Sequence, residues 1–463
     1  MSLRVRRIGA PIGCRAKRIA RAAWLVFLLP GLAAAQAVLP LDKALRPGAA
    51  ASPRIAAQAA GYSDLGDLAL KELISEALKN NPEIQASLNE KEAARQRVAP
   101  AGALEDPMIE AGVLNVPTTS LRLNREDMTM KMLGLSQKLP WPGKRALRRE
   151  VAAKEAQTAE YGYRETVNRV VRELTLAYFD LSLVSETIRF MRENLQVLDQ
   201  FLKIAESRYA VGQSTQADVL KAQTQLAKMS DDLLRMERER PAMEAELAKL
   251  LGRAGEPQRL GARLPGVRDL SLSFESLLEA AVNRRPQLLG LRTVIDKGNT
   301  ALELARKDYQ PDFDLRLSYG QRESMLDGTP RPDMVSVIVA INLPIWGGQK
   351  RDPRIAEAQA MRDQAMSMYR AQENELAAKL RQQMAMVEQS RKSARLYEST
   401  ILPQAELAVE STLAAYRVNR AELLMLLDSQ MNFLNYRINR AGAVVNFNKA
   451  LAEIDWLTGA TEN

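Results

Sequence analysis

Two similar units of about 200 residues make up most of the chain, and this duplication constrains its fold more than any other feature. The segment around Pro82 recurs around Pro286, 204 residues later. The segment around Tyr209 recurs around Tyr416, 207 residues later. Solenoid repeats are only about 20–50 residues long, so this is a duplication within one architecture. The sequence predicts two repeats with the same order of elements, repeat 1 at residues 67–263 and repeat 2 at residues 264–463.

Each repeat is predicted to open with a helix and to continue with two extended stretches. In the clearest stretch, Asp312–Gly320, apolar residues alternate strictly with charged or polar ones. This period of two predicts a strand with one apolar face and one polar face. About 9–11 residues is the span of a tilted transmembrane strand, although a soluble hairpin fits one such pair equally well. The opening helices are Leu68–Arg97 and Phe274–Lys307, and the other strands are Met108–Asn115, Thr129–Leu139 and Met334–Leu343.

A very long helix is predicted after each hairpin. From Val167 to Tyr209, apolar residues recur with steps of three and four in alternation. Such a period of 3.5 keeps one stripe against a partner helix, as in a coiled coil. A helix from Lys144 to Tyr209 would be about 100 Å long at 1.5 Å per residue, deeper than a globular domain. A return helix follows Gly212, and Pro241 is expected to kink or interrupt it.

The N-terminal segment has the features of a secretory signal peptide. Basic residues are followed by the apolar run 22–35 and by Ala35-Gln36-Ala37, a small-x-small cleavage site. We expect a signal peptide at residues 1–37 and an Ala/Pro-rich linker at residues 38–66. A membrane anchor would need about 18–20 apolar residues, and no later stretch reaches that length. An exported chain of this kind would be periplasmic, secreted or inserted in the outer membrane as a β-barrel.

Composition and charge argue against several classes of function. The net charge of +9 suggests a nucleic-acid-binding protein. However, seven of the positive charges lie in the first 21 residues, so no nucleic-acid partner is expected. The only cysteine is Cys14, and the chain has no histidine. No lipid anchor, cofactor or metal site is therefore expected, and the channel should hold no soft cation tightly. We found no phosphate-binding loop or nucleophile motif, which argues against an enzyme. Most of the 18 methionines take apolar seam positions.

Four membrane strands per chain raise a problem of closure. A barrel needs at least about eight strands, and an open edge in lipid leaves backbone groups without hydrogen bonds. Other copies of the chain must therefore supply the missing strands. Two chains would give a filled barrel of about eight strands and three chains a water-filled one of about twelve, and strand counting does not choose between them.

Two segments at the helix–helix connections resemble the tips of TolC-like outer-membrane efflux proteins. They are Arg208–Gln223 and its duplicate Ala415–Asp428, and the resemblance extends over Leu68–Leu457. It implies a mainly α fold with a transmembrane β-barrel, in which long coiled-coil helices form an α-barrel. Four strands per chain would complete a 12-stranded barrel in a homotrimer embedded in outer-membrane lipid. It also implies a channel for passive exit, coupled to a periplasmic adaptor (a membrane fusion protein) and an inner-membrane RND-type pump.

The same resemblance implies roles for residues at the tips. Asp428 falls on an acidic ring at the pore constriction, and Met425 stands where the family has a second acidic position. Asp218 and Tyr416 fall on a latch between the helix pairs, and the expected arginine appears one position early as Arg420. Asp218 could instead be a carboxylate favoured by the helix dipole. The adaptor-docking positions are Tyr209, Val211, Gly212, Ser214, Thr215, Val418 and Asn419, the last replacing a glycine in a tight turn.

Two segments bear on the cargo. Asn124–Thr129 and Leu139–Arg145 resemble the heavy-metal (Cus/Czc-type) branch, which favours metal cations. The alternative function is a periplasmic adaptor or a coiled-coil stalk protein of an export system. Adaptors carry Gly/Val-rich lipoyl-like segments, which this sequence lacks.

Overall fold

Long helices and one small sheet form the fold of this protein. A computed structural model describes residues 68–118, 120, 122–253, 264–269 and 273–460. The predicted signal peptide, most of the linker and the boundary between the repeats lie outside these ranges. The elements of repeat 1 are α1 (Leu68–Asn80), α2 (Pro82–Gln96), α3 (Val98–Gly102), β1 (Met108–Leu114), β2 (Met130–Leu139), α4 (Lys144–Ala210) and α5 (Gln216–Leu250).

Repeat 2 follows the same order. Its elements are α6 (Phe274–Arg284), α7 (Pro286–Lys307), β3 (Phe313–Gln321), β4 (Met334–Ile341), α8 (Asp352–Leu396), α9 (Leu402–Arg417) and α10 (Leu423–Thr458). Short π-helical segments, Gly347–Arg351 and Tyr397–Ile401, precede α8 and separate it from α9. The second long helix is therefore segmented, whereas α4 is continuous. The first π-helical segment lies where the spacing between the two repeats changes.

Each opening helix is broken at a proline, which corrects the prediction of single helices. A proline disfavours helical backbone in the residue before it. Asn81 has an extended ψ of 123°, and its Oδ1 accepts hydrogen bonds from the amides of Glu83 (2.8 Å) and Ile84 (3.2 Å). Its Nδ2 donates to the carbonyl oxygen of Leu250 at 2.8 Å. One side chain thus starts α2 and fixes the end of α5.

The equivalent position in repeat 2 is Arg285, and its side chain makes different contacts. Arg285 makes no side-chain cap, and its guanidinium lies over the ring of Trp456, 4.5 Å from the centroid. The Trp456 Nε1 donates to Glu165 at 3.0 Å. Burial raises the pKa of Glu165, although Arg285 opposes this rise. In place of the helix cap, the duplicated junction therefore has a cluster of one buried arginine, a tryptophan and a glutamate.

The coiled-coil seam is confirmed along α4. This helix begins at the predicted Lys144 and ends one residue beyond the predicted Tyr209. At 1.5 Å per residue its 67 residues extend about 100 Å. It packs against α2, α5, α7 and α10, and the apolar core forms several clusters along the helices. The buried seam residues are Val170, Leu174, Leu181, Ile188, Leu198 and Ala205.

Pro241 does not interrupt the return helix. α5 runs continuously from Gln216 to Leu250 with Pro241 inside it. Pro241 was predicted to kink or interrupt this helix; the interruption is wrong, because packing holds the helix together across one missing amide, and the kink stays a prediction. In the part of the chain that the structure describes, no helix has both the length and the apolar character needed to cross a membrane.

The four strands form one antiparallel sheet in the order β1-β2-β3-β4. The central pairing joins the two repeats, because β2 pairs with β3 in a register that sets Leu135 opposite Leu317. β1 and β4 are the outer strands, and each pairs on one side only within the chain. The sheet is therefore a joint product of both repeats.

Gly252 and Gly459 follow the last helix of repeat 1 and of repeat 2, and Gly252 provides a test of the packing. Gly252 has φ +70°, and a Cβ there would lie 2.4 Å from the carbonyl oxygen of Asn80. We expect Gly252→Ala to lower the free energy of unfolding by about 1–3 kcal/mol, because it adds left-handed strain and a backbone clash. Circular dichroism during chemical denaturation measures this change. As a control, Gly162→Ala in α4 meets open space and should be neutral or stabilising by about 1 kcal/mol. Equal effects of the two substitutions would contradict the packing described.

Candidate functional site: a two-faced sheet and two helix tips

One face of the sheet is apolar across all four strands. Residues directly opposite each other on paired strands share a face. The register sets Leu315 opposite Val339 and Leu317 opposite Val337, and Leu317 also faces Leu135. These side chains are exposed in the single chain, as are Ile109, Val113, Leu133, Tyr319, Val335 and Ile341. A contiguous apolar surface of this kind marks a membrane or protein contact.

The other face of the sheet is mixed, with charged, polar and small residues beside Ile338 and the methionines Met130, Met132 and Met334. Arg316 pairs with Asp314 at 2.9 Å, and Ser318 faces both Gly134 and Ser336. Glu110 faces Gly134 from β1. The predicted alternation is confirmed, and the strand ends differ from prediction by at most two residues. The sheet is built to separate an apolar medium from water.

A half-buried ion pair fixes the corner where the sheet meets the helices. The Nζ of Lys144 donates to Asp312 Oδ1 at 2.8 Å and to the carbonyl oxygen of Gln310 at 2.9 Å. The amide of Trp141 donates to the same carboxylate oxygen at 2.8 Å. The Lys144 side chain is only 3% exposed. The start of α4 in repeat 1 is thereby tied to the start of β3 in repeat 2.

One arginine joins the two loops at the other end of the sheet. Arg331, in the β3–β4 loop, donates to the carbonyl oxygen of Glu323 at 2.5 Å within its own loop. It also donates to three carbonyl oxygens of the β1–β2 loop, those of Glu126 (2.6 Å), Asp127 (3.0 Å) and Leu123 (3.2 Å). Its side chain is nearly buried. This clasp holds the loops of two different repeats in one arrangement.

We expect the contacts of Arg331 to protect the β1–β2 loop from cleavage by trypsin. Hydrogen bonds from a charged donor contribute about 1.5–3 kcal/mol each. Arg331→Ala removes four of them, so trypsin should cleave after Arg125 at least tenfold faster, the factor that about 1.4 kcal/mol gives. Mass spectrometry of the purified protein follows this cut. The control is Arg354→Ala, which removes an exposed arginine of α8 and should leave the rate unchanged. An unchanged rate in Arg331→Ala would show that the loops are held by other contacts.

The first tip is a tight turn between α4 and α5. Gly212 has φ +70°, and the amides of Gly212 and Gln213 donate to the carbonyl oxygens of Tyr209 (3.0 Å) and Arg208 (2.8 Å). This is the Schellman pattern, in which a left-handed residue closes a helix. The second tip repeats it with Asn419 at φ +62°. The prediction that asparagine takes the place of glycine in this turn is confirmed.

Asp218 starts α5 as part of a capping box. Its Oδ2 accepts from Ser214 Oγ at 3.0 Å and from the Thr215 amide at 3.3 Å, while the Asp218 amide donates to Thr215 Oγ1. Burial opposes ionisation of this carboxyl, but the hydrogen bonds outweigh it and lower the pKa of Asp218. Asp218 therefore acts as a helix carboxylate, which was the alternative interpretation of the sequence.

The predicted hydrogen bond between Asp218 and Tyr416 is not formed within the chain. Tyr416 is buried, and its hydroxyl has no partner among the described residues. The guanidinium of Arg208 instead lies over the ring of Tyr416, 4.4 Å from the ring centroid. Arg208 Nη2 also donates to Asn419 Oδ1 at 2.9 Å, so it links the two tips. Arg420 is exposed and takes no part in this link.

Arg208 was not predicted, because the arginine of the latch was expected beside Asn419, at Arg420. One signal was available: repeat 2 has the small Ala415 at the position where repeat 1 has the large, charged Arg208. Met425 and Asp428 are exposed on the first turns of α10. Their convergence at a pore constriction stays a prediction. The tips also expose the apolar side chains of Tyr209, Val211, Val418 and Leu424.

The fold thus consists of two tandem pairs of long helices attached to one shared sheet. A model of the outer membrane efflux protein family matches residues 73–253 and 277–460. These ranges cover most of the chain, so the protein belongs to the outer membrane efflux protein family. The TolC-like resemblance is confirmed. The alternative of a periplasmic adaptor or stalk protein is not supported by this match.

Solved structures show the same fold. CusC matches with a TM-score of 0.73 and 18% identity, over 85% of this chain and 92% of CusC. VceC of Vibrio cholerae matches with a TM-score of 0.71 and 19% identity, over 86% of this chain and 98% of VceC. CmeC of Campylobacter jejuni matches with a TM-score of 0.73 and 15% identity, over 90% and 94% of the two chains. A comparison with the curated proteins finds no significant match.

Proposed function

We propose that the protein is the outer-membrane channel subunit of a tripartite efflux system, through which cargo leaves the periplasm passively. The observation that carries the proposal is the sheet, apolar on one face, polar on the other and paired on one side only at β1 and β4. In lipid an unpaired strand edge would cost several kcal/mol per backbone group. Further copies of the chain satisfy those edges and leave the polar faces around a common lumen.

The homotrimer is the assembly that fits a channel. Three chains contribute about twelve strands, which leave a water path, whereas about eight strands enclose only side chains. The same number of copies places three helical bodies of about 100 Å side by side below the sheet. These helices form the periplasmic tunnel. CmeC, a protein of the same fold, is described as an outer membrane channel.

The tips are the surface for the periplasmic adaptor, which in turn docks on the RND-type pump. Their turns are closed by Gly212 and Asn419, so they present a fixed shape. Val211 and Val418 are 66% and 63% exposed, and together with Tyr209 and Leu424 they give the tips an apolar surface that a partner can cover. Arg208 holds the two tips together, so an adaptor meets them as one unit.

The gate lies on the first turns of α10. Asp428 from three chains would form an acidic ring and attract cations, and Met425 would add an apolar ring beside it. Arg420 lies outside the link between the tips, so the latch consists of Arg208, Tyr416 and Asn419.

Metal cations are the cargo that the sequence favours. The support is the resemblance of Leu139–Arg145 and Asn124–Thr129 to the heavy-metal branch. Among the described residues, no group of three or more His, Cys, Asp or Glu could hold a metal ion. Drugs and other small molecules are the alternative cargo.

The experiment combines assembly and export. Native mass spectrometry of the detergent-extracted protein should show a trimer for the natural chain and for Gly212→Glu. The variant should nevertheless abolish export of silver ions and ethidium in cells that depend on this channel. It forces a side chain into a left-handed turn and places charge in a docking contact.

The matched control is Gly328→Glu, which makes the same change at φ +83° in the loop at the other end of the sheet. It should leave both assembly and export intact. A stable monomer extracted from the outer membrane would refute the channel. Normal export by Gly212→Glu, or loss of its trimer, would refute the docking role of the tips.

A further inference from the structure

Three methionines lie together on the polar face of the sheet, near the loops. The register sets Met132 on β2 opposite Gly320 on β3, and Gly320 opposite Met334 on β4. Met130 precedes Met132 by two residues on β2, so it shares the face. These three are strand residues, unlike the seam methionines of the helices, so packing between helices does not account for them.

Glycine leaves the space that these thioethers occupy. The Sδ of Met130 lies 2.5 Å from the point where a Cβ on Gly320 would be. Met132 has glycine on both sides, because Gly112 faces it from β1. Gly134 follows two residues later on the same face of β2. Glycine in a strand interior weakens the strand and marks places where another group approaches closely. Glycines thus border the methionines along three strands.

The three thioethers can reach one point above Gly320. Met132 and Met334 stand two strand spacings apart, which is about 10 Å between backbones. Each side chain is unbranched and has three rotatable bonds, so each can turn toward the centre. Met130 already lies there. Met130 and Met132 are half-buried and Met334 is 40% exposed, so the group is open to the water side.

Thioethers are soft ligands, and they select Cu(I) and its analogue Ag(I) over hard cations. We propose that Met130, Met132 and Met334 form a transit site for a soft monovalent cation, Cu(I) or Ag(I), on the lumen side of the sheet. The proposal rests on the proposed channel function and gives its metal cargo a chemical class. Glu110 lies on the same face, opposite Gly134, and supplies negative charge nearby. Three neutral thioethers bind weakly enough to release the ion, as a conducting pathway requires.

The test measures silver binding to the full mature protein in detergent. Equilibrium dialysis against silver nitrate in chloride-free buffer, with metal analysis, counts Ag(I) per chain. The test variant is Met130→Leu/Met132→Leu/Met334→Leu, because leucine replaces methionine with little change in volume. The matched control is Met361→Leu/Met366→Leu/Met368→Leu, which removes as many thioethers from exposed positions of α8.

We expect the strand variant to lose about one Ag(I) per chain relative to the natural protein and the helix variant to lose none. Equal losses in the two variants, or no loss in the strand variant, would overturn the site. Potassium conductance in planar bilayers separates this result from the channel function. If all three proteins conduct and silver blocks them equally, the site is wrong and the channel stands. If the natural protein forms no pore, the channel proposal fails, while dialysis still decides whether silver binds.

Discussion

The backbone pairing of β2 with β3 is the interaction on which the rest of the structure depends. It joins a strand of each repeat, so the duplicated halves share one sheet. Because both hairpins enter that sheet in register, their apolar side chains fall on one face and their polar ones on the other. It also leaves β1 and β4 as outer strands. An apolar face and open edges can coexist in lipid only when further copies complete the hydrogen bonding.

The two copies of the repeat differ at equivalent positions. In repeat 1, Asn81 caps a helix and holds the end of α5. In repeat 2, Arg285 makes no side-chain cap and stacks on Trp456. At the tips, Asn419 replaces Gly212 and uses its side chain to accept a hydrogen bond from Arg208. In both places the two copies make different contacts at the same position of the repeat.

Much of the fold could be predicted because it follows from local periodicity. The seam of α4 and the alternation of β3 each reflect one buried or apolar face, so their ends were predicted within one or two residues. Asn419 was predicted correctly because left-handed turns admit few residues. These features depend on neighbours in the sequence.

The features that escaped prediction depend on distant contacts. Arg208 stacks on Tyr416, a residue about 200 positions away, and no pattern in either segment specifies that approach. The clasp of Arg331 joins loops of different repeats for the same reason. Pro241 failed to interrupt α5 because tertiary packing outweighed the loss of one hydrogen bond. The grouping of Met132 and Met334 around Gly320 became visible only through the strand register.

The proposed channel places the sheet in the outer membrane, with its apolar face toward lipid and its polar face toward water. Cys14, in the predicted signal peptide, is the only cysteine, so a single cysteine can be placed on each face of β3. Leu315→Cys and Leu317→Cys probe the apolar face, and Arg316→Cys and Ser318→Cys probe the polar face. A membrane-impermeant maleimide applied to outer-membrane vesicles should label the polar-face cysteines and spare their neighbours until detergent denatures the protein. Equal labelling of adjacent positions, or labelling of the apolar face alone, would contradict the account.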